Sequence, residues 1–156
     1  MENLEHERNE ADRQKSNHNK PNQPNDAELS IQYKNNGNKC LQIGQAQAAI
    51  EWYTKSLNLV PTNPIVFCNW SVAYKKLDKF GQMYDDSLQA IELDDQYFKA
   101  YIKNGEACVE LGKNPRHDNT DLIDKGIKRL KKGLSLIDHM NKSDKMHEQK
   151  ALMLEQ

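Results

Sequence analysis

The stretch that decides the fold runs from Ser30 to Lys113: SIQYKNNGNKCLQIGQAQAAIEWYTKSLNLVPTN (30–63), PIVFCNWSVAYKKLDKFGQMYDDSLQAIELDDQY (64–97) and FKAYIKNGEACVELGK (98–113). Set in rows of 34, the three segments fall into register. Gly37, Ala49, Tyr53, Ser56 and Pro61 stand at positions 8, 20, 24, 27 and 32 of the first row. Ser71, Met83, Ser87, Ala90 and Asp95 take those positions in the second, and Gly105 takes position 8 of the third. Within each row the apolar residues recur three and four apart, the period of an amphipathic helix. Val and Thr are few and no run alternates, so the body is predicted to be all helical.

The third row departs from the others after Gly112. Lys113-Asn114-Pro115-Arg116-His117-Asp118-Asn119-Thr120 predicts an inter-helix loop, near 113–120, lengthened by about nine residues. Ile123, Gly126, Leu130 and Gly133 then resume the second-helix pattern. Further on, Ser143-Asp144 can N-cap a final helix over Ser143 to Glu155 carrying Met146, Leu152 and Leu154, or that segment can continue the helix before it. Toward the N-terminus the pattern fades. Of 31 Leu, Ile, Val and Phe residues, only Leu4 falls in the first 28 positions. An arm so poor in core formers cannot offset its ordering entropy, so disorder is expected there. The predicted division is an arm at 1–28, a three-repeat body at 29–138 (30–63, 64–97, 98–138) and a capping helix with tail at 139–156.

Composition narrows the function. The 22 Lys+Arg against 23 Asp+Glu leave a formal charge of −1, which argues against a nucleic-acid binder. Mean hydropathy is −0.96 and no run reaches about 18 apolar residues, so no membrane helix is expected. The first 25 residues have no apolar segment of the secretory kind. Cys40, Cys68 and Cys108 are too few and too widely spaced for a disulfide framework, and a cytoplasmic location is expected. With no Cys-x-x-Cys they read as small buried hydrophobes. His6, His18, His117, His139 and His147 fall mostly in predicted loops or tails, with no i, i+4 pair, so no metal site is expected. The basic run Lys125, Lys128, Arg129, Lys131 and Lys132 reads as a solvated convex face. No phosphate-cradling loop and no nucleophile–base spacing is present, so neither an enzyme, a cofactor nor a small-molecule substrate is predicted.

Over residues 30 to 137 the pattern resembles the tetratricopeptide repeat. That resemblance implies antiparallel helices A and B crossing at the small residues of positions 8, 20 and 27, with large residues such as Phe67, Trp70, Tyr74 and Phe80 between them. Gly44 and Gly112 would mark the turns between A and B, and Pro61 the end of a B helix. The repeats would stack as a right-handed solenoid closed by a C-terminal capping helix. The Trp usual at position 4 is missing from all three rows.

The resemblance also implies a working surface, the concave face lined by A helices. Lys34 and Asn38 come to it from the first repeat, Asn69 from the second, Lys99 and Lys103 from the third. The set is similar to the dicarboxylate clamp of tetratricopeptide co-chaperones, whose motif is Lys-x-x-Gly-Asn, then Asn at position 6, then Lys-x-x-x-Arg. Here it reads Lys34-Asn35-Asn36-Gly37-Asn38, Asn69, and Lys99-Ala100-Tyr101-Ile102-Lys103. Lys103 replaces the usual Arg, keeping the charge without the bidentate fork. Leu41 and Val72 match slots that meet the peptide's apolar residues. The implied partners are the C-terminal Glu-Glu-Val-Asp tails of the seventy- or ninety-kilodalton heat-shock chaperones.

The chemistry of these residue types points the same way. Ammonium groups attract carboxylates and amide N–H donors orient them. Like charges at i, i+4 cost a helix about 0.2–0.5 kcal/mol, which a ligand with two carboxylates turns into attraction. Ordinary surface pairing is the competing reading, with Lys99 on Asp95 and Lys103 on Glu106. The rival function is a structural scaffold whose groove binds a partner without a free C-terminal carboxylate.

Overall fold

A computed structural model of the chain describes residues 24–113 and 119–154. Among the described residues there are six helices and no strand: α1 (Asp26–Gln42), α2 (Ala46–Leu59), α3 (Pro64–Lys76), α4 (Phe80–Leu93), α5 (Phe98–Gly112) and α6 (Thr120–Leu154). Each odd helix packs on the even helix that follows, and the three pairs stack in chain order through α2 on α3 and α4 on α5. Contacts between α1 and α3, and between α3 and α5, bring the odd helices together along one face.

Helix starts follow local chemistry. Asn25 accepts from the Glu28 amide while the Glu28 carboxylate accepts from the Asn25 amide, a reciprocal box that satisfies two otherwise orphaned donors. This places Asp26, Ala27 and Glu28 in α1, so the helix begins inside the segment expected to belong to the arm. The rest of that arm, residues 1–23, lies outside the described residues. Asn63 caps α3 by accepting from the Ile65 and Val66 amides, with Pro64 at the first helical position. At the first intra-repeat turn Gly44 has φ +81°, and 34 residues later Asp78 holds φ 54° at the equivalent place. Glycine enters this left-handed region freely, and Asp is among the few other residues that tolerate it.

The third pair corrects the expected loop. The separation of paired small residues is 12 from Gly37 to Ala49 and 21 from Gly105 to Gly126. These nine extra residues are not all loop: α5 continues to Gly112 and α6 starts six residues before Gly126, leaving a connection of seven residues at 113–119. The first two connections have three. Residues 114–118, with His117, lie outside the described residues. Gly112 is therefore not a turn residue but the buried last residue of α5, where a Cβ would meet Ile123 Cγ1 at 2.5 Å.

The segment expected as a separate capping helix is helical, yet it is the continuation of α6, which runs 35 residues without a break at Ser143. No Gly or Pro lies between Leu134 and Leu154 to stop it. His139 and His147 stand on this helix rather than in loops.

Two core clusters form where the pairs meet. One joins Ala49, Ile50, Tyr53 and Leu57 of α2 to Val66 and Ala73 of α3; the other joins Cys68, Ala90, Ile91, Ala100, Tyr101 and Leu136. Val66 and Met83 are wholly buried, each contributing about 1.5–3 kcal/mol. Close crossings rely on small residues. A Cβ on Gly105 would lie 2.8 Å from the Gly126 carbonyl oxygen. Two buried serines facing each other across the first pair satisfy one another: Ser30 Oγ donates to the Ser56 carbonyl at 3.0 Å and Ser56 Oγ to the Ser30 carbonyl at 2.9 Å. Cys68 and Cys108 are buried and Cys40 half-buried.

Candidate functional site

Helix α1 carries Lys34, Asn38 and Leu41, α3 carries Asn69 and Val72, and α5 carries Lys99 and Lys103. The structure gathers five of these seven, Asn38, Leu41, Asn69, Val72 and Lys99, around one open groove of about 570 Å³. Lys34 and Lys103 are not among its lining residues; each sits one helical turn from one that is. Gln42, Ile65, Lys76 and Tyr97 complete the lining. Leu41, Val72 and Ile65 supply apolar surface beside the polar set.

Asn38 is held in a defined orientation. Its Oδ1 accepts from the Tyr53 hydroxyl at 2.7 Å and from Asn69 Nδ2 at 2.9 Å. With both lone pairs engaged, the amide nitrogen of Asn38 keeps its two donors for a ligand. Tyr53 is wholly buried on α2, and burial, then the neighbouring Cys40, pushes its phenol up to about 12. It stays protonated and remains a donor. Gly37 makes the contact possible: a Cβ there would stand 2.5 Å from Tyr53 Cε1. The glycine in the Lys-x-x-Gly-Asn pattern is thus the seat of the ring that fixes the adjacent Asn.

The cations differ in their availability. Among the described residues Lys34, Lys76 and Lys99 make no ion pair. The expected pairing of Lys99 with Asp95 is not seen; Asp95 Oδ1 accepts from Gln96 Nε2 at 2.9 Å instead. Lys103 does pair with Glu106, at 3.2 Å, and the same carboxylate takes Lys75 of α3 at 2.8 Å. Burial would raise the Glu106 carboxyl, but the hydrogen bond from Lys75 and the charge of Lys103 outweigh it and hold the group below the usual range. Burial pushes the Cys68 thiol up to about 11, against the opposing hydrogen bond with Tyr97 and the charges of Lys103 and Lys99. Burial, followed by Cys68, raises the phenol of Tyr97 at the groove wall.

The first and second TPR domains of Spaghetti (RPAP3), each bound to the HSP90 peptide SRMEEVD, superpose with TM-scores of 0.64 and 0.63 at 28% and 29% identity. They cover 81% and 70% of this chain, and 97% and 94% of those chains. The fold is that of a tetratricopeptide-repeat domain. No family model matches it. The second TPR domain of human RPAP3, in complex with the HSP70 peptide SGPTIEEVD, gives a TM-score of 0.53 at 29% identity over 67% of this chain and 94% of its own. Small glutamine-rich tetratricopeptide repeat-containing protein 2 from Mycosarcoma maydis is 32% identical over 120 residues, 72% of this chain. The match spans about a third of that relative's length, 34%. The tetratricopeptide repeats thus place α1, α3 and α5 as the A helices.

The sequence pattern alone did not single out Tyr53, Tyr97, Lys76 or Glu106 for the site. Tyr53 was visible as a large residue at position 24, with nothing to say that its hydroxyl reaches Asn38. No helix of the described structure is long and apolar enough to cross a membrane.

Proposed function

We propose that this chain is a cytoplasmic co-chaperone or adaptor module that captures the free C-terminus of an acidic Glu-Glu-Val-Asp tail, as carried by seventy- and ninety-kilodalton heat-shock chaperones. The observation that carries this reading is the Tyr53–Asn38–Asn69 chain of hydrogen bonds, which turns amide donors toward a groove holding the unpaired Lys99. Such a site has donors and positive charge where a terminal carboxylate needs them. That neighbouring TPR domains are bound to peptides ending in EEVD supports the same reading.

In this proposal Lys34, Asn38 and Asn69 hold the main-chain carboxylate. Lys99 and Lys103 take the aspartate side chain and its neighbours, and Leu41 and Val72 meet the apolar residue. The role is binding rather than catalysis, with no cofactor or metal required. A labelled peptide ending in Glu-Glu-Val-Asp, titrated beside the same peptide amidated at its C-terminus, tests it. Strong preference for the free acid is expected. Equal binding, or none to either, would sink the proposal and favour a scaffold that engages another kind of surface.

A further inference from the structure

Glu106 stands inside the cationic set that the ligand is expected to use. It follows Lys103 by three residues on α5, with Oε2 3.2 Å and Oε1 3.3 Å from the Lys103 ammonium. Its closer partner is Lys75 on the neighbouring α3, at 2.8 Å. All three side chains reach solvent, at 44% for Lys75, 29% for Glu106 and 25% for Lys103, so the pairs can exchange. On the Lys75 side opens a cavity of about 360 Å³ whose walls include Lys75, Glu106, Phe80, Met83, Val109 and Leu130. Glu106 has room there to turn from Lys103 while keeping Lys75.

We propose that Glu106 is a built-in competitor for the ligand carboxylate and that Lys75 is the residue to which it withdraws. This rests on the clamp reading and adds a control to it. When a peptide carboxylate arrives it takes Lys103, and Glu106 moves wholly onto Lys75. Two cations and two carboxylates remain paired, so the exchange strands no charge. Without Lys75, the displaced Glu106 would stand unpaired beside the incoming anion, and like charges at that range repel. Lys75 therefore acts on affinity without touching the ligand. It is a positioning residue, and Glu106 sets how acidic a tail the groove accepts.

The test is a double-mutant cycle on the full chain, with the free-acid peptide ending in Glu-Glu-Val-Asp as probe. Glu106→Gln keeps the shape and removes the charge; it should tighten binding about two- to fivefold at low salt, the range of a partly exposed ion pair. Lys75→Ala should weaken binding by a similar factor. The double variant should bind as tightly as Glu106→Gln alone, because Lys75 matters only while Glu106 is charged. Thermal melts of each variant establish that it is folded, and Lys75→Gln replaces the alanine variant should that one melt early. Unchanged or weaker binding by Glu106→Gln overturns the competitor. A Lys75 effect of equal size in both backgrounds overturns its role and makes it a direct ligand contact. Failure of the clamp itself would show elsewhere, as wild-type binding that ignores C-terminal amidation.

Discussion

The Tyr53 hydroxyl reaches across the first helix pair to donate to Asn38 at 2.7 Å, so a residue buried on the B helix orients an amide on the groove. The bond makes binding depend on a group no ligand touches. Tyr53→Phe deletes only that hydroxyl and leaves one Asn38 lone pair without its partner. Free-acid peptide affinity should fall about fivefold, matching roughly 1 kcal/mol for a lost hydrogen bond. Calorimetric titration of the two proteins checks this; equal affinities would mean that Asn69 alone suffices to hold the amide.

Among the described residues Lys34 and Lys99 make no ion pair, whereas Lys103 already shares Glu106. Lys34→Ala and Lys99→Ala should each weaken peptide capture about tenfold or more, as expected for hydrogen bonds to charged groups. Lys103→Ala should cost less, because part of its attraction is already spent on Glu106. Affinity of the wild type should drop as salt rises from 50 to 300 mM, about the range over which screening shortens. Fluorescence anisotropy across that series decides the order, and a Lys103 effect larger than the other two contradicts it.

Gly37→Ala places a methyl 2.5 Å from the Tyr53 ring. The ring is wholly buried and cannot step aside without moving its neighbours. Overpacking of this kind costs about 1–3 kcal/mol. The melting temperature should drop by several degrees, and peptide affinity should fall with it because Tyr53 is displaced from Asn38. Unchanged melting would show that α1 and α2 can separate locally at no cost.

Asp86 on α4 gives the fold a pH dependence. Burial, followed by the charge of Asp85, pushes its carboxyl up to about 7, and its Oδ2 is buried without a hydrogen-bond partner. The folded state therefore binds this proton more tightly than the unfolded chain does. Its favourable contribution is present below the ordinary carboxylate value of about 3.9 and is lost as pH rises through about 7. Asp86→Asn should gain in urea midpoint over the wild type, with the gain growing from pH 5 to pH 8. A gain that stays flat across that range rules out the titration.

What the sequence showed and what it hid divide along physical lines. The 34-residue period was legible because the small residues at helix crossings are forced by close approach, of the Tyr53 ring at Gly37 and of facing backbone at Gly105 and Gly126, so small residues recur at those positions. The division of the nine inserted residues was not, because helix ends are set by capping and by what the flanking turn packs on. Gly112 carries the residue type of a turn at the repeat position of a turn, yet the longer α5 absorbs it. The continuity of α6 was open for a related reason: Ser143-Asp144 is a credible cap only where the chain actually bends. In the groove, the polar identities were readable along α1, α3 and α5. The pairing of Lys75 with Glu106 was hidden, since the two are 31 residues apart and their meeting depends on how α3 and α5 lie side by side.

The missing carbon at Gly37 has a consequence for anyone who would transplant this groove. Copying Lys34, Asn38, Asn69, Lys99 and Lys103 onto another helical stack would reproduce the charges, while leaving Asn69 alone to hold the amide at position 38. Its oxygen would then lack the tyrosine donor and be held from one side only. The smallest portable unit is the first helix pair itself, glycine and buried tyrosine included, because the polarity of the surface is written one layer beneath it.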